Sequence, residues 1–245
     1  MMRSTVYLRV NRVEAALCAR ARATSVSDLH EAAHAAGVEA SGRTLMSSAM
    51  RPVLQGVRIA GPAVTAHVAP GDNLMMHRAL VLAQPGDVLV VVSDAPTSGA
   101  QWGDMAARYA LKAGLAGVVV QGCVRDTDTL RELGSATWAT HVLSTHPDKA
   151  GHGGVNLPVV CDGVRVEPGD LVVADGDGVI VVPRRHAAAV VDGAEARMRK
   201  EDAMVPAIAA GAAVWELSGA AASYARLEVR EIDAAFDDPP PRRAE

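Results

Sequence analysis

Apolar positions along this chain gather into short runs punctuated by glycine, proline and aspartate, the rhythm of alternating strands and helices. Residues 57–68 (V-R-I-A-G-P-A-V-T-A-H-V) read as a strand-rich segment. Pro70-Gly71-Asp72 then makes a turn, and residues 73–83 read as a helix. The same tripeptide recurs as Pro85-Gly86-Asp87 and Pro168-Gly169-Asp170, each followed by a β-branched run. The alternation is clearest between residues 85 and 126. There an apolar strand, a Gly-containing loop, an Ala-rich helix opening at Asp104 and a second apolar strand end in Arg125-Asp126.

Flanking segments complete the pattern. Ser25 and Asp28 form a capping-box-like start for a short helix over 26–36 that stops at Gly37, while residues 1–24 read as a poorly specified arm. Residues 127–133 predict a short helix and 145–154 (T-H-P-D-K-A-G-H-G-G) an exposed loop. Strands follow at 157–161, 171–174 and 178–182, the last two joined by the hairpin signal Asp175-Gly176-Asp177-Gly178. Helices are expected over 185–200 and 203–211, and the tail D-D-P-P-P-R-R-A-E reads as disordered. Many short apolar strands mixed with helices predict one α/β domain with more than one sheet layer.

Composition narrows the function classes. Aromatics are only 3% of 245 residues, so a core must be built from Val, Ala, Leu and Ile. The net charge of -4 gives no basic footprint for nucleic acid. Three widely spaced cysteines suggest buried thiols in a reducing compartment. Residues 1–20 lack the apolar stretch of a signal peptide, and no run reaches the roughly 18–20 residues that span a bilayer. A cytoplasmic protein with no membrane partner is expected.

In a parallel strand–loop–helix–strand unit, the loops that follow the strands share one sheet edge. Asp104 at the helix start and Arg125-Asp126 after the next strand therefore face one crevice. Taken singly, each has an ordinary reading. Asp104 is equally an acid favoured by the helix dipole, worth about 0.3–1 kcal/mol, and Arg125-Asp126 an exposed ion pair. Convergence adds a chemical reading. The amides near Met105 and Ala106 and the fork of Arg125 can hold a small carboxylate, while Asp126, with Asp104 nearby, suits a hard divalent cation. His146, Lys149 and His152 fall in the 145–154 loop, where solvation is the default and a grip on substrate the alternative. There is no G-x-S-x-G, Walker or G-x-G-x-x-G motif.

An ordered set of motifs goes further. Gly71-Asp72-Asn73 followed by H-R-A-L, P-G-D-V-L-V-V, W-G-D-M, the spacing Asp104-x20-Arg125-Asp126, V-N-L-P-V-V-C, P-G-D-L-V-V-A-D and D-G-V-I-V-V-P resemble the RraA-like family. Within it the chain is similar to class II pyruvate aldolases acting on 4-hydroxy-4-methyl-2-oxoglutarate and 4-carboxy-4-hydroxy-2-oxoadipate. The resemblance spans roughly residues 25–215, leaving 1–24 as an N-terminal arm and 216–245 as a C-terminal helix and tail.

The resemblance implies an αββα sandwich of the swivelling-domain type, assembled as homotrimers or homohexamers with sites between subunits. It implies that Arg125 contacts pyruvate, that Asp126 ligates Mg²⁺ or Mn²⁺, and that Asp104 holds metal-bound water. Glu201 is the best match to a glutamate that reaches metal water from a neighbouring subunit, and Asn73 is a lesser substrate-binding match. The implied reaction is retro-aldol cleavage of a 4-hydroxy-2-oxo di- or tricarboxylic acid to pyruvate and a second keto acid, with oxaloacetate decarboxylation as a side activity. Relatives lacking the first aspartate are linked to ribonuclease E inhibition, so a protein-binding regulator is the alternative, as is a relative acting on another keto acid. Departures from the family pattern at Gln121, Thr129 and Ser135-Ala136-Thr137 bear on which substrate is taken.

Overall fold

The β-branched runs of the sequence form a ten-stranded mixed sheet in the computed structural model, which describes residues 4–236. The expectation of a disordered tail falls on 237–245, outside the described residues. In chain order the first elements are β1 (Thr5–Val6), α1 (Ala15–Ala23), α2 (Val26–Ala35), β2 (Arg51–Pro52), β3 (Ile59–Val68), α3 (Leu74–Leu82), β4 (Val88–Ser93) and β5 (Ala100–Trp102). Then come α4 (Asp104–Ala113), β6 (Gly117–Val124), α5 (Thr127–Glu132), β7 (Thr137–Val142) and β8 (Gly153–Val155). The short strands β9 (Val159–Cys161), β10 (Val164–Val166), β11 (Leu171–Ala174) and β12 (Val179–Val182) precede the long helix α6 (Ala187–Ala209).

The described residues divide into two compact units, 4–198 and 199–236. In the first unit, β3, β4, β6 and β7 run parallel as neighbours. Alternation along each strand then sorts the side chains into layers. Leu89 and Val91 of β4 and Val118 and Val120 of β6 pack with Met76 and Leu80 of α3, Ala107 of α4 and Leu130 of α5. Val88, Val90, Val92 and Val119 point the other way, onto Val159, Val166, Val172 and Val181 of the β9–β12 strands. The far face of β11 and β12 (Leu171, Val173, Ile180, Val182) is covered by Cys18 and Ala21 of α1, Leu29 of α2 and Val190 and Val191 of α6. Helices, sheet, sheet, helices: the expected αββα layering is present.

Within the stretch 1–24, α1 lies over the second sheet layer, and Arg12 forks both oxygens of the fully buried Asp87 at 2.8 Å each. All three cysteines are free and buried, as expected of buried thiols. One helical expectation is corrected. Residues 187–209 form a single helix through Pro206 instead of two helices. Pro206 is exposed, so the carbonyl it leaves unbonded one turn earlier can be hydrated.

In the second unit, α6 ends and two short helices follow, α7 (Val214–Leu217) and α8 (Ala220–Tyr224), with the rings of Trp215 and Tyr224 meeting edge to face at 5.2 Å. None of its described residues is buried. Val205, Val214, Trp215, Leu227 and Ile232 are all exposed. No helix among the described residues is long and apolar enough to cross a membrane.

Candidate active site

The site is built by one β–α–β unit. After β4 the chain loops out and returns as β5, which pairs beside the end of β6 (Ala100 opposite Cys123, Trp102 opposite Val124). Arg125 donates its backbone N–H to the Trp102 carbonyl at 3.0 Å, locking the end of one strand against the start of the next helix. Gly103, in extended backbone, caps α4, and Asp104 is its first residue. Asp126 adopts the left-handed conformation (φ 58°, ψ 37°) and opens α5. That conformation is tolerated by Asp far better than by most residues.

These turns bring the charged groups together. The Asp126 carboxylate accepts the backbone N–H of Asp104 at 3.3 Å and lies 3.5 Å from the Arg125 guanidinium. Asp104 lies 3.6 Å from Arg108, one turn along its own helix. Gly103 is required by this approach: a Cβ there would sit 2.7 Å from the Asp126 Oδ2 atom and 3.2 Å from the Arg125 side chain.

Asn73, Asp104, Met105, Ala106, Arg125 and Asp126 all line one cavity of about 260 Å³ at the C-terminal edge of the parallel strands. The Met105 side chain is exposed, and Met105 and Ala106 both stand in the first turn of α4, where N–H groups have no partner within the helix. Glu201 lies in the second unit, exposed on the C-terminal half of α6. The role the resemblance implies for it is toward a neighbouring subunit.

The opposite wall comes from α3 and the 145–154 segment, which contribute His77, His146, Pro147 and Lys149. This segment is largely exposed and irregular up to Gly153, as expected, but it is pinned at one point. Asp72 Oδ2 accepts the N–H groups of Ala150 and Gly151 at 2.7 Å each, Oδ1 accepts that of Leu74 at 2.7 Å, and Asn73 and Asp148 exchange backbone bonds with the same turn. Burial works to raise the pKa of Asp72, but the three N–H donors and the charge of Lys149 outweigh it and hold the carboxyl below its ordinary value. His77 has its pKa lowered, chiefly by burial and then by Lys149, against an opposing influence from Asp72. His77 was invisible as a site residue in the sequence, yet its spacing signals it: four residues after Asn73 on a helix, it shares that residue's face.

Among the described residues, Asn73 Oδ1, Gln101 Nε2 and Trp102 Nε1 are buried with no hydrogen-bond partner, and all three residues line the cavity. An unpaired buried polar atom costs about 1–3 kcal/mol, so this wall has unused capacity for a polar ligand or water. Among the described residues no three His, Cys, Asp or Glu side chains form a metal-holding group. Two carboxylates nonetheless fit Mg²⁺ or Mn²⁺, since Mg²⁺ typically keeps several waters and uses one or two protein carboxylates plus substrate oxygens.

The positions expected to bear on substrate choice lie elsewhere. Gln121 accepts the Asp162 N–H at 2.5 Å and reaches the Ser93 carbonyl at 3.5 Å, a tie between the two sheet layers. Ser135 and Thr137 bond each other at 3.0 Å, and Ser135 and Ala136 line a different cavity, of about 810 Å³, at the N-terminal edge of the strands.

Residues 24–181 match the family model described as RraA-like: Aldolase/RraA. A protein of Halalkalibacterium halodurans, provisionally named 4-hydroxy-4-methyl-2-oxoglutarate aldolase, is 35% identical over 68% of this chain and 80% of its own length. A Burkholderia multivorans protein of the same provisional name is 40% identical over 64% of this chain and 93% of its own. Among solved structures, Streptomyces coelicolor RraAS2, described as an unusual member of the RNase ES inhibitor RraA protein family, is similar with a TM-score of 0.69. It is 33% identical, with 78% of this chain and 97% of that one covered.

Proposed function

The chain belongs to the RraA-like family, and from that premise we propose that it is a divalent-metal-dependent pyruvate aldolase. It would cleave a 4-hydroxy-2-oxo di- or tricarboxylic acid into pyruvate and a second keto acid. The observation that carries this reading is the convergence of Asp104, Arg125 and Asp126 with Asn73 in one polar cavity. Aldolase names among the relatives support carbon–carbon bond cleavage as the reaction class.

Asp126 and Asp104 would hold Mg²⁺ or Mn²⁺, Asp126 directly and Asp104 through water. When bound, the ion supplies Lewis-acid polarisation of the 2-keto group. Arg125 grips the pyruvate carboxylate through its planar fork, and the first-turn amides at Met105 and Ala106 face the same anion. These groups also meet the negative charge that develops on the pyruvate half as the C3–C4 bond breaks. Loss of carbon dioxide from oxaloacetate leaves the same three-carbon anion, so decarboxylation follows as a side activity. No lysine Schiff base is required.

The assembly belongs to the same reading: a homotrimer or homohexamer, with Glu201 completing the site of a neighbour. A second unit with no buried residue among those described and several exposed apolar side chains supports a subunit contact there. The experiment is direct. Chelation should abolish pyruvate release from a 4-hydroxy-2-oxo acid and from oxaloacetate, and added Mg²⁺ or Mn²⁺ should restore it; full activity after exhaustive chelation sinks the proposal.

A second reading, a protein-binding regulator, is favoured by relatives such as RraAS2 and the RNA-processing inhibitor RraA of Thermus thermophilis (31% identical, TM-score 0.55). Asp104→Ala separates the two. It removes catalysis in the first reading and leaves partner binding intact in the second.

A further inference from the structure

We propose that His77 is the proton carrier of this site: its imidazole takes the proton from the 4-hydroxyl of the substrate as the C3–C4 bond breaks and returns it to C3. The assignment rests on the aldolase reading above. Retro-aldol cleavage cannot begin until a hydroxyl proton has somewhere to go, so a base must stand in the cavity.

Its wall offers few. Arg125 and Lys149 are donors with no acceptor atom, and Asp104 and Asp126 would be taken up by the cation. His146 is exposed on the 145–154 segment. His77 is half-buried on α3, a regular element, one turn beyond Asn73 and on the same face, and both line the cavity with Asp104, Arg125 and Asp126.

The electrostatic surroundings agree with that geometry. Burial and the positive charge of Lys149 hold the imidazole below its ordinary value of 6.5, with Asp72 acting in the opposite direction. The other charged or titratable groups of the cavity wall are Asp104, Arg125, Asp126 and His146. The ring is therefore neutral near pH 7, with one nitrogen free to accept, the form a general base needs.

The step balances. A ring nitrogen accepts the hydroxyl proton, the O–H electron pair forms the C4 carbonyl, and the C3–C4 pair stays on C3 as the enolate of pyruvate. The imidazolium then protonates C3 to give the methyl group. The proton that left oxygen arrives on carbon, and no oxidant, reductant or further reactant is needed.

Oxaloacetate isolates the base half of this role, because its decarboxylation removes no hydroxyl proton and the enolate it leaves can take its proton from solvent. His77→Gln and His77→Asn are compared with the wild type on a 4-hydroxy-2-oxo acid and on oxaloacetate, following pyruvate from about pH 5 to 9. Expected is a loss of aldol cleavage of about 10²–10⁴-fold in both variants, with decarboxylation held to within about tenfold. The acid limb of the kcat/KM profile for aldol cleavage should disappear as well. Equal losses on both substrates, or aldol cleavage retained with its acid limb, overturn the assignment. A wild-type chain releasing pyruvate from neither substrate overturns the aldolase reading and this assignment with it, a result distinct from an inactive variant of an active enzyme.

Discussion

The Asp126 carboxylate accepts the backbone N–H of Asp104, so the two acidic residues of the site are joined through main chain as well as through the cavity they share. Gly103 makes room for that bond. Gly103→Ala has no backbone objection, since its φ of -163° is ordinary extended backbone, but the new methyl group displaces the carboxylate. Pyruvate release should fall by about tenfold or more, because misplacing a reacting group by about 1 Å costs on that scale or beyond. Calorimetry should find the melting temperature nearly unchanged. Full activity in this variant would mean that the Asp126 position is not critical.

If Glu201 completes a neighbour's site, two inactive variants should rescue each other. Asp126→Ala and Glu201→Ala are each expected to lose most pyruvate release. Unfolded together and refolded as mixed oligomers, about a quarter of randomly formed subunit interfaces would carry both intact residues. Recovered activity on mixing checks this; none would place Glu201 outside the chemistry.

Asp72 predicts a change in the wall opposite Arg125. Asp72→Asn weakens three N–H bonds and should cost about 1–3 kcal/mol, roughly 2–12 °C in melting temperature for a chain of this size. It should also raise KM by releasing Lys149. The pH sign follows from the depressed carboxyl pKa. The stabilisation is fully present above the ordinary value of 3.8 and is lost as pH falls through the lower folded value. Acid melts should separate wild type and variant at neutral pH and bring them together below that window.

Arg12→Ala tests whether the segment before α1 is structural. It strands the carboxylate of Asp87, fully buried and otherwise bonded, among the described residues, to the Gln84 N–H, and should cost about 3–5 kcal/mol. The double variant Arg12→Met with Asp87→Leu should recover much of that loss. Thermal unfolding of the two variants checks both outcomes.

Legibility in the sequence followed local signal strength. The β4–α4–β6 unit is legible because its strands are valine-rich and its helix lies between Gly103 and Gly114, which places Asp104 and Arg125-Asp126 at one sheet edge from the sequence alone. The α1 segment A-A-L-C-A-R-A-R-A carries no apolar stripe, and only its packing over β11 and β12 explains it. The 145–154 segment has a loop's composition. What pins it is the carboxylate of Asp72, more than seventy residues upstream, a partner that local propensity does not register. His77 is harder to read, because its spacing of four from Asn73 acquires a chemical meaning only once the cavity that both residues line is known.

The left-handed backbone at Asp126 makes conservation of charge and conservation of shape compete at that position. Glutamate keeps the charge but fits the conformation poorly, whereas asparagine and glycine fit the conformation and lose the charge. A library randomised at 126 and screened first for folding, then for catalysis, would therefore yield two nearly disjoint sets of survivors, overlapping at aspartate. Mutational drift at this residue would tend to produce well-folded chains that have lost the reaction.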